Sequence, residues 1–248
     1  MSAIEFHALT KRYGSVTAVD NLTFSPADGR VTGFVGANGA GKSTTMRLLL
    51  GLTRPDAGTA TVNGRRYAEL ADPLRQIGAM VDPNVFHPNR SGRNALRVIA
   101  RPAGVSDGRV DEVLDMVGLT AAAHRRAGGY SMGMRQRLAL AAALLGDPGT
   151  IVLDEPANGL DPQGVHWLRG LIRHLAAEGR TLFVSSHLLA ELAQTVDDVV
   201  IIADGRLVVH EPMSSLLARA AGSSLEDVYL ALTHPAFELS ADAGKEFR

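Results

Sequence analysis

Cysteine is absent from the 248 residues, which excludes disulfides, thiolate metal sites and a cysteine nucleophile together. Lysine is almost as scarce, with only Lys11, Lys42 and Lys245, and aromatic residues make up 5% with a single tryptophan. Neither sign of charge dominates. Lys+Arg number 25 against 26 Asp+Glu, so no electrostatic footprint for nucleic acid or an anionic membrane is expected. The longest apolar run, residues 138–145, is far short of the roughly 18–20 residues that a spanning helix needs. The opening MSAIEFHALTKRYG lacks the charged-then-apolar order of a secretory signal. A chain that stays in the cytoplasm is the expectation. Hydrophobic residues at 46% and charged residues at 21% fit an ordinary globular protein with a sizeable core.

Helical and strand-like segments alternate along the chain, the mark of an α/β fold with a partly parallel sheet. Strand character marks residues 4–9, 16–24, 31–35, 77–81, 150–153, 181–185 and 199–203. The last three are apolar on both faces, as in strands covered on both sides. Between residues 83 and 146 the pattern turns helical, with helices predicted at 94–100, 110–117 and 132–145. That block is expected to be an insertion between two parts of the sheet. The tail from residue 213 carries two amphipathic stretches, 214–220 and 225–232, before a polar end.

One glycine-rich segment carries chemistry. Gly36-Ala37-Asn38-Gly39-Ala40-Gly41-Lys42-Ser43 follows a strand and, with Thr44, opens a helix ended by Gly51. It fits the pattern G-x-x-x-x-G-K-[ST], whose backbone N–H groups and helix N-terminus cradle phosphates. Lys42 would reach the β- and γ-phosphates, and the Ser43 hydroxyl would coordinate Mg²⁺. A dinucleotide fold is disfavoured because the glycines do not fall as G-x-G-x-x-G.

Residues 151–156, Ile-Val-Leu-Asp-Glu-Pro, form an apolar strand ending in two carboxylates. Asp154 is the candidate to hold Mg²⁺, usually through water. Strand alternation should point Glu155 the other way, where it would orient and deprotonate an attacking water. Ser185-Ser186-His187 ends another buried-type strand, the edge of the sheet where ligands bind in open α/β folds. His187 could hydrogen-bond a γ-phosphate there. The other seven histidines have no such context.

In this order and spacing the three pieces resemble the ATP-binding cassette ATPases, the engines of ABC transporters. The distinguishing addition is Tyr130-Ser131-Met132-Gly133-Met134-Arg135-Gln136-Arg137-Leu138, which is similar to the family's signature segment. The resemblance implies a P-loop cassette over residues 1–212, with a mixed sheet, an antiparallel β subdomain and the helical insertion at about 83–146, followed by a short helical tail over 213–248. It also implies ATP and Mg²⁺ as cofactors. Two copies would sandwich two ATP molecules, with Ser131 and Gly133 facing the γ-phosphate on the opposite subunit. Tyr13 resembles the aromatic that stacks on adenine, and Asp161 lies in a Gly-Leu-Asp-Pro loop that crosses to the other site.

Two departures stand out. Asp82 occupies the place of the family's usual glutamine and would be an oxygen ligand to Mg²⁺ with an added negative charge. Met132 and Met134 replace glycine and glutamine in the signature. The Ser-x-Gly-Met-Arg-Gln-Arg form is similar to the branch of antibiotic-resistance and sodium exporters, whose cargo is drug-like or other small molecules. The resemblance further implies a separate membrane permease as partner, touching residues 82–89 near Phe86, with this chain peripheral on the inner face of the membrane. Rival readings are a soluble family member acting on a macromolecule, another P-loop class and a non-catalytic regulatory subunit. Three lysines cannot supply a guanine-binding Asn-Lys-x-Asp, and no nucleic-acid partner is expected.

Overall fold

The computed structural model describes residues 2–220 and 224–233. The chain opens with strands β1 (Ile4–Tyr13), β2 (Val16–Phe24) and β3 (Val31–Val35), then helix α1 (Lys42–Leu49). Strand β4 (Ala57–Val62), a single helical turn α2 (Pro73–Gln76) and β5 (Ile77–Met80) follow. Helices α3 (Gly92–Ala100), α4 (Asp107–Met116) and α5 (Met132–Leu144) precede β6 (Thr150–Leu153), α6 (Pro162–Ala177) and β7 (Thr181–Ser186). The turn α7 (Leu189–Leu192), strands β8 (Asp198–Ala203) and β9 (Arg206–Pro212), and helices α8 (Met213–Arg219) and α9 (Leu225–Thr233) complete it.

Six strands form the main sheet in the order β5-β6-β7-β3-β8-β9. Its first five strands run parallel, and β9 returns antiparallel to β8. The Asp204-Gly205 pair between them has φ of 49° and 77°, the doubly left-handed turn that matches the twist of a hairpin. β3, β6 and β7 are buried along their whole length, as two-sided cover demands. A smaller antiparallel sheet, β2-β1-β4, lies to one side.

Strand alternation divides the core into two layers. Val31 and Val35 of β3 point to one side, among Leu138, Leu153, Leu168 and Leu182. Phe34 points to the other and joins Phe6, Phe24 and Phe183 beneath the antiparallel sheet. The Phe6 and Phe24 rings stack at 4.6 Å and Phe34 meets Phe183 at 4.9 Å, so four of the chain's phenylalanines gather where the two sheets meet.

The expected insertion is present, and its helices begin where serines cap them. Ser91, Ser106 and Ser131 each accept the backbone N–H three residues on, satisfying an amide that the first turn leaves free. These caps start α3 and α4 earlier than residues 94 and 110. Five elements were not expected from the sequence: β4, β9, the single turns α2 and α7, and α6, which at 16 residues is the longest helix among the described residues. Asp161 caps α6 with Pro162 at its first position, a standard helix start. The two tail helices lie where the amphipathic stretches predict them, but Met213 and Leu216 are buried in the main core. The polar end and Lys245 lie outside the described residues. Among the described residues no helix is long and apolar enough to cross a membrane.

Candidate active site

The strand β3 lies between β7 and β8 and delivers the chain into the glycine-rich loop at the end of the sheet where loops gather. Gly41 has φ of 105°, and a Cβ there would come within 2.3 Å of the Ala18 carbonyl oxygen. Only glycine can therefore hand the loop to α1 in this way. Gly39 also has a left-handed φ of 86°, and the space where a Cβ would sit is open. Loops of this kind can turn successive N–H groups toward an anion, and here the Ala40 N–H closes the loop on the Ala37 carbonyl at 3.1 Å.

Lys42, the first residue of α1, is 5% exposed. Its ammonium donates to the carbonyl oxygens of Gly36 at 2.6 Å and Ala37 at 3.3 Å. It also lies 3.2 Å from Oε1 of Glu155. Ser43 and Thr44 follow on the same turn, both partly buried. Thr45 holds the turn by donating its hydroxyl to the Gly41 carbonyl at 2.9 Å.

The two acids arrive from β6, but not as strand alternation would place them. β6 ends at Leu153, and the Asp154 N–H donates to the Met80 carbonyl at 2.7 Å. Glu155 then takes φ of 48°, a left-handed conformation that costs a non-glycine residue about 1–2 kcal/mol. Strained backbone of this kind is retained where the surroundings fix it. Here Ser185 does so. Its hydroxyl donates to Asp154 Oδ1 at 2.6 Å and accepts the Glu155 N–H at 2.8 Å. The separate directions of the two carboxylates come from this turn rather than from the pleat. Ser185, 1% exposed at the end of β7, was not singled out from sequence, though the Ser-Ser-His run at a strand end marked the place.

His187 completes the group. Its Nδ1 lies 2.9 Å from Glu155 Oε2, so Lys42, Glu155 and His187 form one continuous charged and polar chain. Helix α9 also borders the loop. Burial pushes the Tyr229 phenol above its usual range, and the Ala37 N–H draws it the opposite way.

The other candidates lie elsewhere on the chain. Tyr13, at the end of β1, is 50% exposed with the Lys11 ammonium 5.4 Å from its ring centroid. Ser131 and Gly133 open α5, and Asp161 accepts the Gly164 N–H at 2.7 Å. No hydrogen bond or ion pair joins these three to the glycine-rich loop among the described residues. Asp82 follows β5 at the edge of the sheet, and its Oδ1 accepts the Asn84 N–H at 2.8 Å. Its carboxylate is thus engaged in its own turn. Phe86 leans on the core, whereas the neighbouring Val85 is 65% exposed.

The donor set suits Mg²⁺. Ser43 and Asp154 offer only oxygen, the preference of a hard cation. Among the described residues no cluster of three or more His, Asp or Glu could hold a metal on protein ligands alone.

The sequence profile of the ABC transporter family matches residues 19–158. The chain is 43% identical over 214 residues to the bacitracin transport ATP-binding protein of Bacillus licheniformis, covering 85% of this chain and 70% of that one. It is 34% identical over 208 residues to the lantibiotic transport ATP-binding protein of Streptococcus pyogenes, covering 84% and 90%. Among solved structures, an ATP-binding subunit of an ABC transporter superposes with a TM-score of 0.83 at 27% identity, over 93% of this chain and 99% of that one.

Proposed function

The chain belongs to the ABC transporter family of ATP-hydrolysing subunits, and on that premise we propose that two copies close around two ATP molecules to power a separate permease exporting peptide antibiotics or similar small molecules. The observation that carries the reading is the Lys42–Glu155–His187 chain beside the glycine-rich loop. The cargo class rests on the bacitracin and lantibiotic relatives.

The loop amides from Gly39 to Ser43 bind the β- and γ-phosphates, and Lys42 turns its ammonium from the loop carbonyls to the phosphate oxygens. Ser43 and Asp154 would hold Mg²⁺, which when bound would neutralise phosphate charge. Tyr13, exposed at a strand end, stacks on adenine. Glu155 accepts a proton from water as that water's oxygen bonds to the γ-phosphorus and the bond to the β-phosphate oxygen breaks, leaving ADP and phosphate. His187 steadies the Glu155 carboxylate and hydrogen-bonds the γ-phosphate. Ser131 and Gly133 of the opposite copy contact that same phosphate from the start of α5, where a hydroxyl and helix N-terminal amides suit an anion. Because the closed pair depends on the γ-phosphate, its loss removes the contact that favours closure and the pair opens.

The permease docks on the face that carries residues 82–89. A groove lined by Tyr67, Val85, Phe86, Ile99 and Ala142 opens beside Asp82 there, and it would hold the chain at the inner face of the membrane. Gentle affinity purification from native membranes tests this. Recovery of a polytopic membrane protein that raises ATP turnover is the expected result; recovery of ribosomes, DNA or no partner would overturn the transport reading.

A further inference from the structure

Gln136 is a polar residue inside α5, only 4% exposed. Its Nε2 donates to the backbone carbonyl of Asn158 at 2.8 Å, while its Oε1 is buried without a partner among the described residues. A buried amide that is only half satisfied is poor core material, so the bond it does make needs a reason. The acceptor belongs to the irregular loop between β6 and α6, the loop that begins with Asp154 and Glu155. Asn158 donates its own N–H to the Glu155 carbonyl at 3.2 Å.

The same seam is packed tightly at the start of α5. A Cβ on Gly159 would come within 2.5 Å of Met132 Cγ, and one on Gly133 would touch Leu160 at 3.4 Å. Met132, Gly133 and Gln136 therefore share one face of α5, at one-, three- and four-residue spacings, and all meet the 155–160 loop. The first turn of that helix holds Ser131.

We propose that Gln136 is a positioning residue that couples the two nucleotide sites. It ties the helix turn presenting Ser131 and Gly133 to the opposite site to the loop that aims Glu155 at the chain's own water. Seating of the helix turn on one nucleotide then sets the aim of the carboxylate at the other. This inference rests on the two-copy reading above. The simpler alternative is that Gln136 only satisfies a buried carbonyl and supports its own helix.

A trace of Gln136→Met full-length chain in large excess of Glu155→Gln chain separates the two. Nearly every Gln136→Met molecule then pairs with an inactive partner, so the only working water-activating group is its own Glu155. Its altered Ser131 turn serves only the dead site. Coupling predicts that turnover per trace chain falls about tenfold relative to a wild-type trace, with KM for ATP unchanged, because small misplacements of a reacting group are costly. A drop smaller than about threefold, or a matching rise in KM, would overturn the proposal. Gln136→Glu, which keeps the shape but cannot donate to the carbonyl, must behave alike. Unfolding of both variants, seen by circular dichroism, would assign Gln136 to the core alone and also contradict the coupling. If the Glu155→Gln chain fails to pair with ATP before any trace is added, the two-copy reading itself has failed.

Discussion

Nδ1 of His187 lies 2.9 Å from Oε2 of Glu155, and the other oxygen of that carboxylate lies 3.2 Å from Nζ of Lys42. The three side chains come from positions 42, 155 and 187, and what unites them is the parallel order β6-β7-β3. Each stands just beyond the end of one of those neighbouring strands. A sheet of that order turns three distant sequence segments into one site.

His187→Ala removes the group that steadies Glu155 without touching the loop. Turnover should fall by about a hundredfold, with a much smaller loss of ATP affinity by calorimetry from the missing γ-phosphate bond. Turnover close to wild type would show that Glu155 needs no such support.

Lys42→Ala withdraws the one cation that is buried beside the loop among the described residues. ATP affinity should drop by about a hundredfold or more, because charge-assisted bonds to phosphate are lost and Glu155 is left as an uncompensated negative charge beside it. Titration with a fluorescent ATP analogue measures this directly. Normal affinity would overturn the cradle assignment.

Ser185→Ala should damage function and stability together. It deprives Asp154 of a donor at 2.6 Å and leaves the Glu155 N–H, which now donates at 2.8 Å, without its acceptor. Burying an unsatisfied amide costs about 1–3 kcal/mol, and freeing the left-handed turn at Glu155 should lower turnover by roughly tenfold. Thermal unfolding and steady-state hydrolysis report the two effects separately. An unchanged melting temperature would mean that Ser185 does not hold the turn.

Asp197 makes stability depend on acid. Burial raises its carboxyl's pKa, but the Val31 N–H and the Arg173 guanidinium, each at 2.9 Å, outweigh burial and hold it below the usual value of 3.8. Its ionised form therefore stabilises the fold at neutral pH, and that contribution is lost as pH falls below 3.8 and through the lower folded value. Asp197→Asn should cost about 1–3 kcal/mol at pH 7, with the gap from wild type closing toward pH 3. A gap that stayed constant with pH would contradict the assignment.

Much of this site could be read before any coordinates. The glycine-rich loop, the acidic strand end and His187 are local signals, each set by a short run of residues whose types have few other uses. The turn at Glu155 could not be read so. Its left-handed backbone is imposed by Ser185, which is 30 residues away in sequence, and period-two alternation says nothing about a strand that stops at Leu153. β4 and β9 escaped for a related reason, since glycine and polar residues dilute their strand pattern and their pairing partners decide them. Asp161-Pro162 is a helix-start signal for α6, and it coincides with a Gly-Leu-Asp-Pro run that also reads as a loop. The Gln136–Asn158 bond was likewise invisible, because a glutamine in a helix looks like a surface residue until the loop above it is in place.

The most direct test is the Glu155→Gln chain on a size-exclusion column with saturating ATP and Mg²⁺. This chain is expected to hydrolyse no ATP yet elute as a stable dimer, which reverts to monomer when ADP replaces ATP. A chain that stays monomeric with ATP bound would contradict the two-copy mechanism, and one that still turns ATP over would remove Glu155 from its centre.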